Sequence, residues 1–218
     1  MTAPAVLWPD RHQAGVALAE RLLSWRGVPR ALVLGLPRGG VAVAAAVADT
    51  LQLPLASWAV RKLAHPAEPE LAVGAMAPGD VLLWDEPGVP RLHLDGALRR
   101  RIVATQTQEL QRRQRLYGDP APAALRGRPL LVVDDGVATG LTVRAALASL
   151  RQCHPARLVL AVPVIDRQVA DRLRPLVDDL VALAVVEQLT AVGAWYGRFD
   201  PVEDREVLAL LGRGIRRR

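Results

Sequence analysis

The sequence has few of the residues that bind structural metals or cross-link chains. Its 218 residues include one cysteine, Cys153, and four scattered histidines without paired ligand spacing. One cysteine cannot close an internal disulfide, and a structural zinc site needs clustered cysteine or histidine ligands. The fold must therefore rest on a hydrophobic core. A domain of this length buries roughly 70% of its unfolded surface, so we expect one domain over residues 1–218.

Long apolar runs are also missing. No run approaches the ~20 residues that a membrane-spanning helix needs. The N-terminus has neither the basic region nor the apolar region of a signal peptide. We therefore expect a cytoplasmic protein with no membrane partner.

The positive charge is almost entirely arginine. The net charge is +6, and Lys62 is the one lysine among 28 basic residues. The arginine clusters at 99–101, 112–115 and 213–218 lack interleaved aromatic residues and a nucleic-acid motif, so nucleic acid is not an expected partner. Surplus positive charge also attracts phosphorylated metabolites.

The most informative stretch runs from Leu130 to Thr142. Four branched apolar residues predict a strand buried on both faces, and helical spacing resumes at Thr142. The loop between them begins with two acids and continues with small residues: Asp134, Asp135, Gly136, Val137, Ala138, Thr139 and Gly140. Backbone N–H groups at a helix N-terminus suit a phosphate, and the acids suit hydroxyl groups attached to it. A sugar phosphate presents both. In the alternative interpretation, the acids cap the helix and the glycines turn the chain.

A second loop has related chemistry. A short strand at 31–35 precedes Pro37, Arg38, Gly39 and Gly40, and a helix follows over 41–48. The glycines expose N–H groups, and arginine adds a charged donor for phosphate oxygens. The alternative is a simple turn. Loops at the carboxyl ends of parallel strands lie on one edge of a sheet, so both could bind one ligand.

The 130–142 stretch resembles the signature of type I phosphoribosyltransferases: four hydrophobic residues, two acids and small residues ending in Thr-Gly-x-Thr. Three other segments extend the resemblance to a subfamily of predicted bacterial phosphoribosyltransferases, over nearly the whole chain. They are Pro-Arg-Gly-Gly at 37–40, Arg-Lys-Leu at 61–63 with Pro-Glu-Leu-Ala-Val-Gly-Ala at 69–75, and Val-Gly-x-Trp-Tyr-x-x-Phe at 192–199.

The resemblance implies an α/β fold with a parallel sheet flanked by helices, a flexible loop with a hairpin, and a small C-terminal hood. The core would cover about 10–185 and the hood about 186–212. The donor would be phosphoribosyl pyrophosphate, and the acceptor an unidentified nitrogen compound. Residues 134–142 would hold the 5-phosphate and ribose, and residues 37–40 the pyrophosphate. Mg²⁺ would be held mainly through the substrate, without direct protein ligands. A homodimer is left open.

The remaining pattern predicts the other elements. We expect helices at 10–25, 95–117, 167–174 and 203–211, strands at 55–60, 156–163 and 180–186, a mobile loop at 61–70, and a hairpin of strands 71–76 and 81–84. Lys62 begins that loop and is expected, with Arg38, to act catalytically on the pyrophosphate.

Two features leave the acceptor and the activity open. Trp195 and Tyr196 could stack on a planar base or fill a gap in the core, and both remain candidate substrate-binding residues. Ala138 stands where purine-salvage enzymes of the six-oxopurine type carry an acid, which predicts that guanine and hypoxanthine are poor acceptors. An acceptor must then be acidic enough to lose its proton easily, or pass it to pyrophosphate or to a group on the mobile loop, such as Glu68 or Glu70. The alternative to an enzyme is a non-catalytic sensor that binds phosphoribosyl pyrophosphate or a nucleotide and regulates a partner or RNA.

Overall fold

The computed structural model describes residues 6–85 and 94–215. The helices are α1 Arg11–Glu20, α2 Gly39–Leu51, α3 Gly96–Tyr117, α4 Pro122–Leu125, α5 Leu141–Gln152, α6 Arg167–Leu173 and α7 Asp204–Ile215. The strands are β1 Leu32–Gly35, β2 Leu55–Ser57, β3 Arg61–His65, β4 Glu68–Ala77, β5 Val81–Trp84, β6 Pro129–Val133, β7 Arg157–Asp166 and β8 Asp179–Val186. Five of them form a parallel sheet in the order β2-β1-β6-β7-β8.

The central strand β6 shows why helices cover both faces of this sheet. Side chains alternate across a strand, so Leu130 and Val132 enter one core cluster while Leu131 and Val133 enter the other. Helices α5 and α6 pack on the first face, and α1 and α2 on the second. The predicted parallel α/β sheet flanked by helices is confirmed.

The second sheet is antiparallel, with the order β3-β4-β5. Its β4–β5 hairpin was predicted, but the prediction of a mobile loop over 61–70 was wrong, because most of that segment forms β3 and the start of β4. Leu63 is fully buried in a cluster with Ile102 and Leu110 of α3. Pro66 lies in the tight turn between β3 and β4, where the lack of a backbone N–H removes no hydrogen bond between the strands. Pro66 is therefore compatible with the antiparallel pairing of β3 and β4.

The predicted hood divides into two parts. Residues 187–203 are largely irregular, with a 3₁₀ turn at Val192–Trp195. Helix α7 instead packs on α2 and β2, burying Val207 and Leu211 beside Val41 and Tyr117. Only the first part lies beside the acidic loop.

None of the helices formed by residues 6–85 and 94–215 is both long and apolar enough to cross a membrane.

Candidate functional site

The two glycine loops meet at one edge of the parallel sheet. Strands β1 and β6 are neighbours, with Gly35 level with Val133, so the loops that follow them emerge side by side. A β carbon added to Gly39 would lie 1.9 Å from Asp135 Oδ2, and one added to Gly40 would lie 2.6 Å from Asp134 Oδ1. The glycines are thus required for the close approach of the loops.

Burial dominates the electrostatics of the acidic pair. It raises the pKa of both Asp134 and Asp135, and repulsion from Asp135 raises the pKa of Asp134 further. The backbone N–H of Asp135 donates to Asp134 Oδ1 at 3.0 Å, which favours the charged form. A cation beside the pair would favour the charged form of both carboxylates.

Arg11 supplies that cation. Its Nε donates to Asp135 Oδ2 at 2.8 Å, and a second nitrogen donates to the carbonyl of Asp200 at 2.9 Å. Its guanidinium carbon lies 3.7 Å from the centre of the Phe199 ring. No functional residue was predicted on this helix from the sequence. No local pattern reveals the ion pair, because its partners are 124 positions apart.

The aromatic cluster packs against the same acidic loop. Tyr196 is 4% exposed, with ring centroids 5.6 Å from Trp8 and 4.9 Å from Phe199. Its hydroxyl donates to the backbone carbonyl of Asp135. The burial of Tyr196 favours the packing role, and its role in substrate binding stays a prediction. Trp195 is partly buried in the same cluster.

The rest of the acidic loop is anchored to β7. The N–H of Val137 donates to the carbonyl of Val164 at 2.9 Å, and the N–H of Asp166 donates to the carbonyl of Val137 at 3.0 Å. Gly140, with φ +78°, begins α5 without a side-chain cap. The N–H groups of the first turn therefore remain available to an anion, with Thr139 and Thr142 beside them.

The Arg38 side chain reaches the start of α7. Its Nη1 lies 3.8 Å from Asp204 Oδ1 at the start of α7. Asp204 also accepts hydrogen bonds from Tyr117 and Arg112. The peptide bond between Pro37 and Arg38 is cis. The predicted pyrophosphate loop is thus tied to α3 and α7 by a polar network.

A family model described as a phosphoribosyl transferase domain matches residues 10–186. The chain belongs to this family. It is 41% identical over 211 residues to the Mycobacterium tuberculosis H37Rv protein named "Putative phosphoribosyl transferase Rv0571c". A protein of strain CDC 1551 matches equally well. The match covers 96% of this chain and 47% of each relative, so the chain spans about half the length of the curated relatives it matches.

Two solved structures are similar to this chain. The protein TT1426 from Thermus thermophilus is 40% identical, with a TM-score of 0.72, covering 94% of this chain and 97% of that one. The AQ2163 protein from Aquifex aeolicus, at 10% identity and a TM-score of 0.51, covers 86% of this chain and 85% of its own. The latter similarity shows the fold alone.

Within this phosphoribosyl transferase domain, the side chains of the adjacent residues Arg61 and Lys62 of β3 lie on opposite faces of the antiparallel sheet. Arg61 donates from Nε and Nη2 to Gln106 Oε1, at 2.9 and 2.8 Å. Burial and then the nearby Arg113 lower the pKa of Arg61, with Arg38 among the further charges. Lys62 pairs with Ala75, which lies in the core cluster shared with α5, so Lys62 is on the α5 side. Its catalytic role stays a prediction.

A buried acid that the sequence did not reveal joins α3 to β2. Asp119 lies just after α3, outside every element that the sequence predicted. Its carboxylate accepts hydrogen bonds from Ser57 Oγ at 2.5 Å and from the N–H of Ala59 at 2.6 Å. Burial raises the pKa of Asp119 to about 6. This carboxylate fixes the bend that leads into β3.

A cavity of about 950 Å³ opens beside the acidic loop. Its walls come from the loop at Ala138 and Thr139, the β4–β5 hairpin at Trp84 and Asp85, and helices α5 and α6. Arg144 and Arg172 line it from the two helices. It is large enough for a small organic molecule.

In the part of the chain that the structure describes, no three His, Cys, Asp or Glu side chains gather into a metal site. The prediction that Mg²⁺ is held through the substrate is not tested by this geometry.

Proposed function

We propose that this domain transfers a 5-phosphoribosyl group from phosphoribosyl pyrophosphate to an acceptor nitrogen and releases pyrophosphate. The observation that carries the proposal is the contact of the two loops. Gly39 and Gly40 lie directly against the carboxylates of Asp135 and Asp134, at adjacent carboxyl ends of the parallel sheet. One ligand with phosphates at both ends of a sugar could reach both loops.

Each end of such a donor meets suitable chemistry. The uncapped N-terminus of α5, with Thr139 and Thr142, would bind the 5-phosphate. Asp134 and Asp135 would accept hydrogen bonds from the ribose hydroxyls. As anions they would also stabilise the positive charge that develops at C1 when pyrophosphate leaves. Arg11 would favour this state by keeping Asp135 ionised.

The pyrophosphate would lie along residues 37–40, where Gly39 and Gly40 begin α2. Arg38 would neutralise the leaving group after exchanging Asp204 for phosphate oxygens, since their present contact is long, at 3.8 Å. Lys62 would approach from the α5 side of β3.

Mg²⁺ fits this site as a substrate-bound ion. Asp134 and Asp135 offer the oxygen atoms that Mg²⁺ prefers, but Arg11 already occupies one oxygen of Asp135. We therefore assign the ion to the pyrophosphate and its waters, with the acids contacting it through water. When bound, Mg²⁺ would neutralise charge on the leaving group.

The decisive experiment is pyrophosphate release from phosphoribosyl pyrophosphate with Mg²⁺, across adenine, guanine, hypoxanthine, orotate, nicotinate and anthranilate. We expect acceptor-dependent release by the wild type and loss of release in Asp134→Asn. Asp179→Asn is the matched control, because its side chain is 51% exposed at the start of β8, the opposite end of the sheet.

A second candidate function is a non-catalytic sensor of phosphoribosyl pyrophosphate. The observation that favours it is Ala138, whose methyl group gives the loop no proton acceptor beside the cavity. Tight binding of phosphoribosyl pyrophosphate with no pyrophosphate release from any acceptor would support the sensor and contradict the transferase.

A further inference from the structure

The cavity beside the loop raises the question of where the acceptor's proton goes. The following inference rests on the proposed transfer reaction. An acceptor that attacks C1 through an N–H nitrogen must lose a proton, and a positioned carboxylate is a common base for this purpose. The loop itself offers only Ala138, Thr139 and Gly140 to the cavity, and none of them carries a carboxylate. A carboxylate that faces the acceptor must therefore come from another wall.

Asp85, on the β4–β5 hairpin, is such a group. Val81 and Leu83 of β5 pack into the core cluster shared with α5, and alternation carries residue 85 to the same side. The backbone N–H of Asp85 donates to the carbonyl of Val73 at 2.9 Å, which holds the residue in register beyond the end of the strand. Asp85 lines the same cavity as Ala138.

Among the described residues, the other carboxylate that lines the cavity is already engaged. Asp166 Oδ1 accepts from the N–H groups of Gln168 and Val169, at 2.9 and 3.2 Å, and Oδ2 accepts from that of Leu189 at 3.0 Å. These bonds lower the pKa of Asp166, so it is a poor proton acceptor. Among the described residues, none donates a hydrogen bond to the carboxylate of Asp85.

We propose that Asp85 is the general base of the transfer, in place of the carboxylate that is missing at Ala138. The acceptor nitrogen forms a bond to C1 of the phosphoribosyl group. The bond from C1 to the pyrophosphate oxygen breaks, and its electron pair leaves on pyrophosphate. The N–H proton of the acceptor moves to a carboxylate oxygen of Asp85, which later returns it to solvent.

The cavity also indicates the acceptor class. Leu71, Trp84 and Leu173 give apolar wall, while Arg144 and Arg172 give hydrogen-bond donors. This combination suits a nitrogen heterocycle or aryl amine that carries acceptor oxygens, such as a ring carboxylate.

The test compares Asp85→Asn and Asp85→Ala with the wild type in pyrophosphate release, using orotate, anthranilate and adenine as acceptors, all of which attack through an N–H nitrogen, and water alone as the blank. We expect kcat to fall by about 100-fold or more in both variants. Added formate should restore part of the rate in Asp85→Ala, because the small carboxylate fits where the side chain was removed. A purely structural role would not respond to formate.

Asp80→Asn is the matched control, because it removes the same charge at the other end of the same hairpin. Its left-handed φ of +58° is one that asparagine tolerates. Thermal midpoints of all variants report folding. If the wild type releases pyrophosphate and the rate of Asp85→Asn is within about twofold of the wild-type rate, the inference about Asp85 is overturned, while the proposed transfer stands. A loss of rate in Asp85→Ala that formate does not rescue would have the same consequence. No release by the wild type from any acceptor or water would overturn the proposed transferase itself, and this inference with it.

Discussion

Replacing Arg11 by methionine should destabilise the fold through Asp135. The substitution keeps much of the apolar stem but removes the cation whose Nε lies 2.8 Å from Asp135 Oδ2. Both side chains are largely buried, at 12% and 16% exposure. Breaking a buried ion pair by removing one partner costs about 3–5 kcal/mol, because the other charge is left uncompensated. For a chain of this length, we expect the thermal midpoint to fall by on the order of 10 °C.

A double-mutant cycle isolates the pair. Urea unfolding at pH 7 would be measured for Arg11→Met, Asp135→Asn and the double variant. Because Asp135→Asn removes the charge that Arg11 compensates, the second substitution should cost far less in its presence. Additive losses would refute the reasoning and reduce Arg11 to its contacts with Phe199 and the carbonyl of Asp200.

The same pair predicts a pH dependence. The pKa of Asp135 is raised in the folded protein, so this group costs stability as pH rises from its unfolded value of about 4 through its folded pKa. Loss of Arg11 raises the folded pKa further. The deficit of Arg11→Met relative to the wild type should therefore be largest near pH 7 and shrink below about pH 4.

The site residues and the buried acid beside β2 carry four further predictions. Asp134→Asn and Asp135→Asn should each weaken binding of phosphoribosyl pyrophosphate in calorimetric titrations with Mg²⁺. Unchanged affinity in both variants would favour the alternative in which the two acids only cap the helix. Lys62→Ala should lower turnover more than affinity, so lost affinity with intact turnover would contradict its expected role. The pKa of Asp119 is raised to about 6 in the folded protein, so the wild type should lose on the order of 2 kcal/mol of stability between about pH 4 and pH 7. Asp119→Asn should not show this loss, and equal pH profiles of stability for the two proteins would refute the prediction. Guanine and hypoxanthine should be poor acceptors, and efficient use of guanine would contradict the argument from Ala138.

The sheet and the two glycine loops at its edge could be predicted because their signals are local. The four apolar residues of β6 are buried on both faces, and the glycines that follow β1 and β6 stand in fixed positions after each strand. Such patterns depend on neighbours in sequence, so periodicity and loop composition reveal them.

The mobile loop was mispredicted because its stabilising contact is distant. Leu63 becomes part of a strand by burial against Ile102 and Leu110, some forty positions away. Prolines at 66 and 69 and a charged composition hide this packing from a local interpretation. Tertiary burial outweighs such weak local preferences.

The same limit explains the missed site residues. The fold brings Arg11 and Asp135 together although they are 124 positions apart in the sequence. It also places Asp85 and Ala138 in the walls of one cavity. Asp119 was hidden in a segment rich in turn formers, where its burial depends on β2 and Ala59. Each is a polar residue whose role is set by a partner far away in sequence.

The most direct test of phosphoribosyl transfer follows C1 of the donor. Phosphoribosyl pyrophosphate labelled with ¹³C at C1 would be incubated with the protein, Mg²⁺ and each acceptor, and the C1 resonance observed. The account predicts a new C1 signal bonded to nitrogen for at least one acceptor, lost in Asp134→Asn. A C1 signal that remains that of bound donor, or that converts only to ribose 5-phosphate, would contradict it.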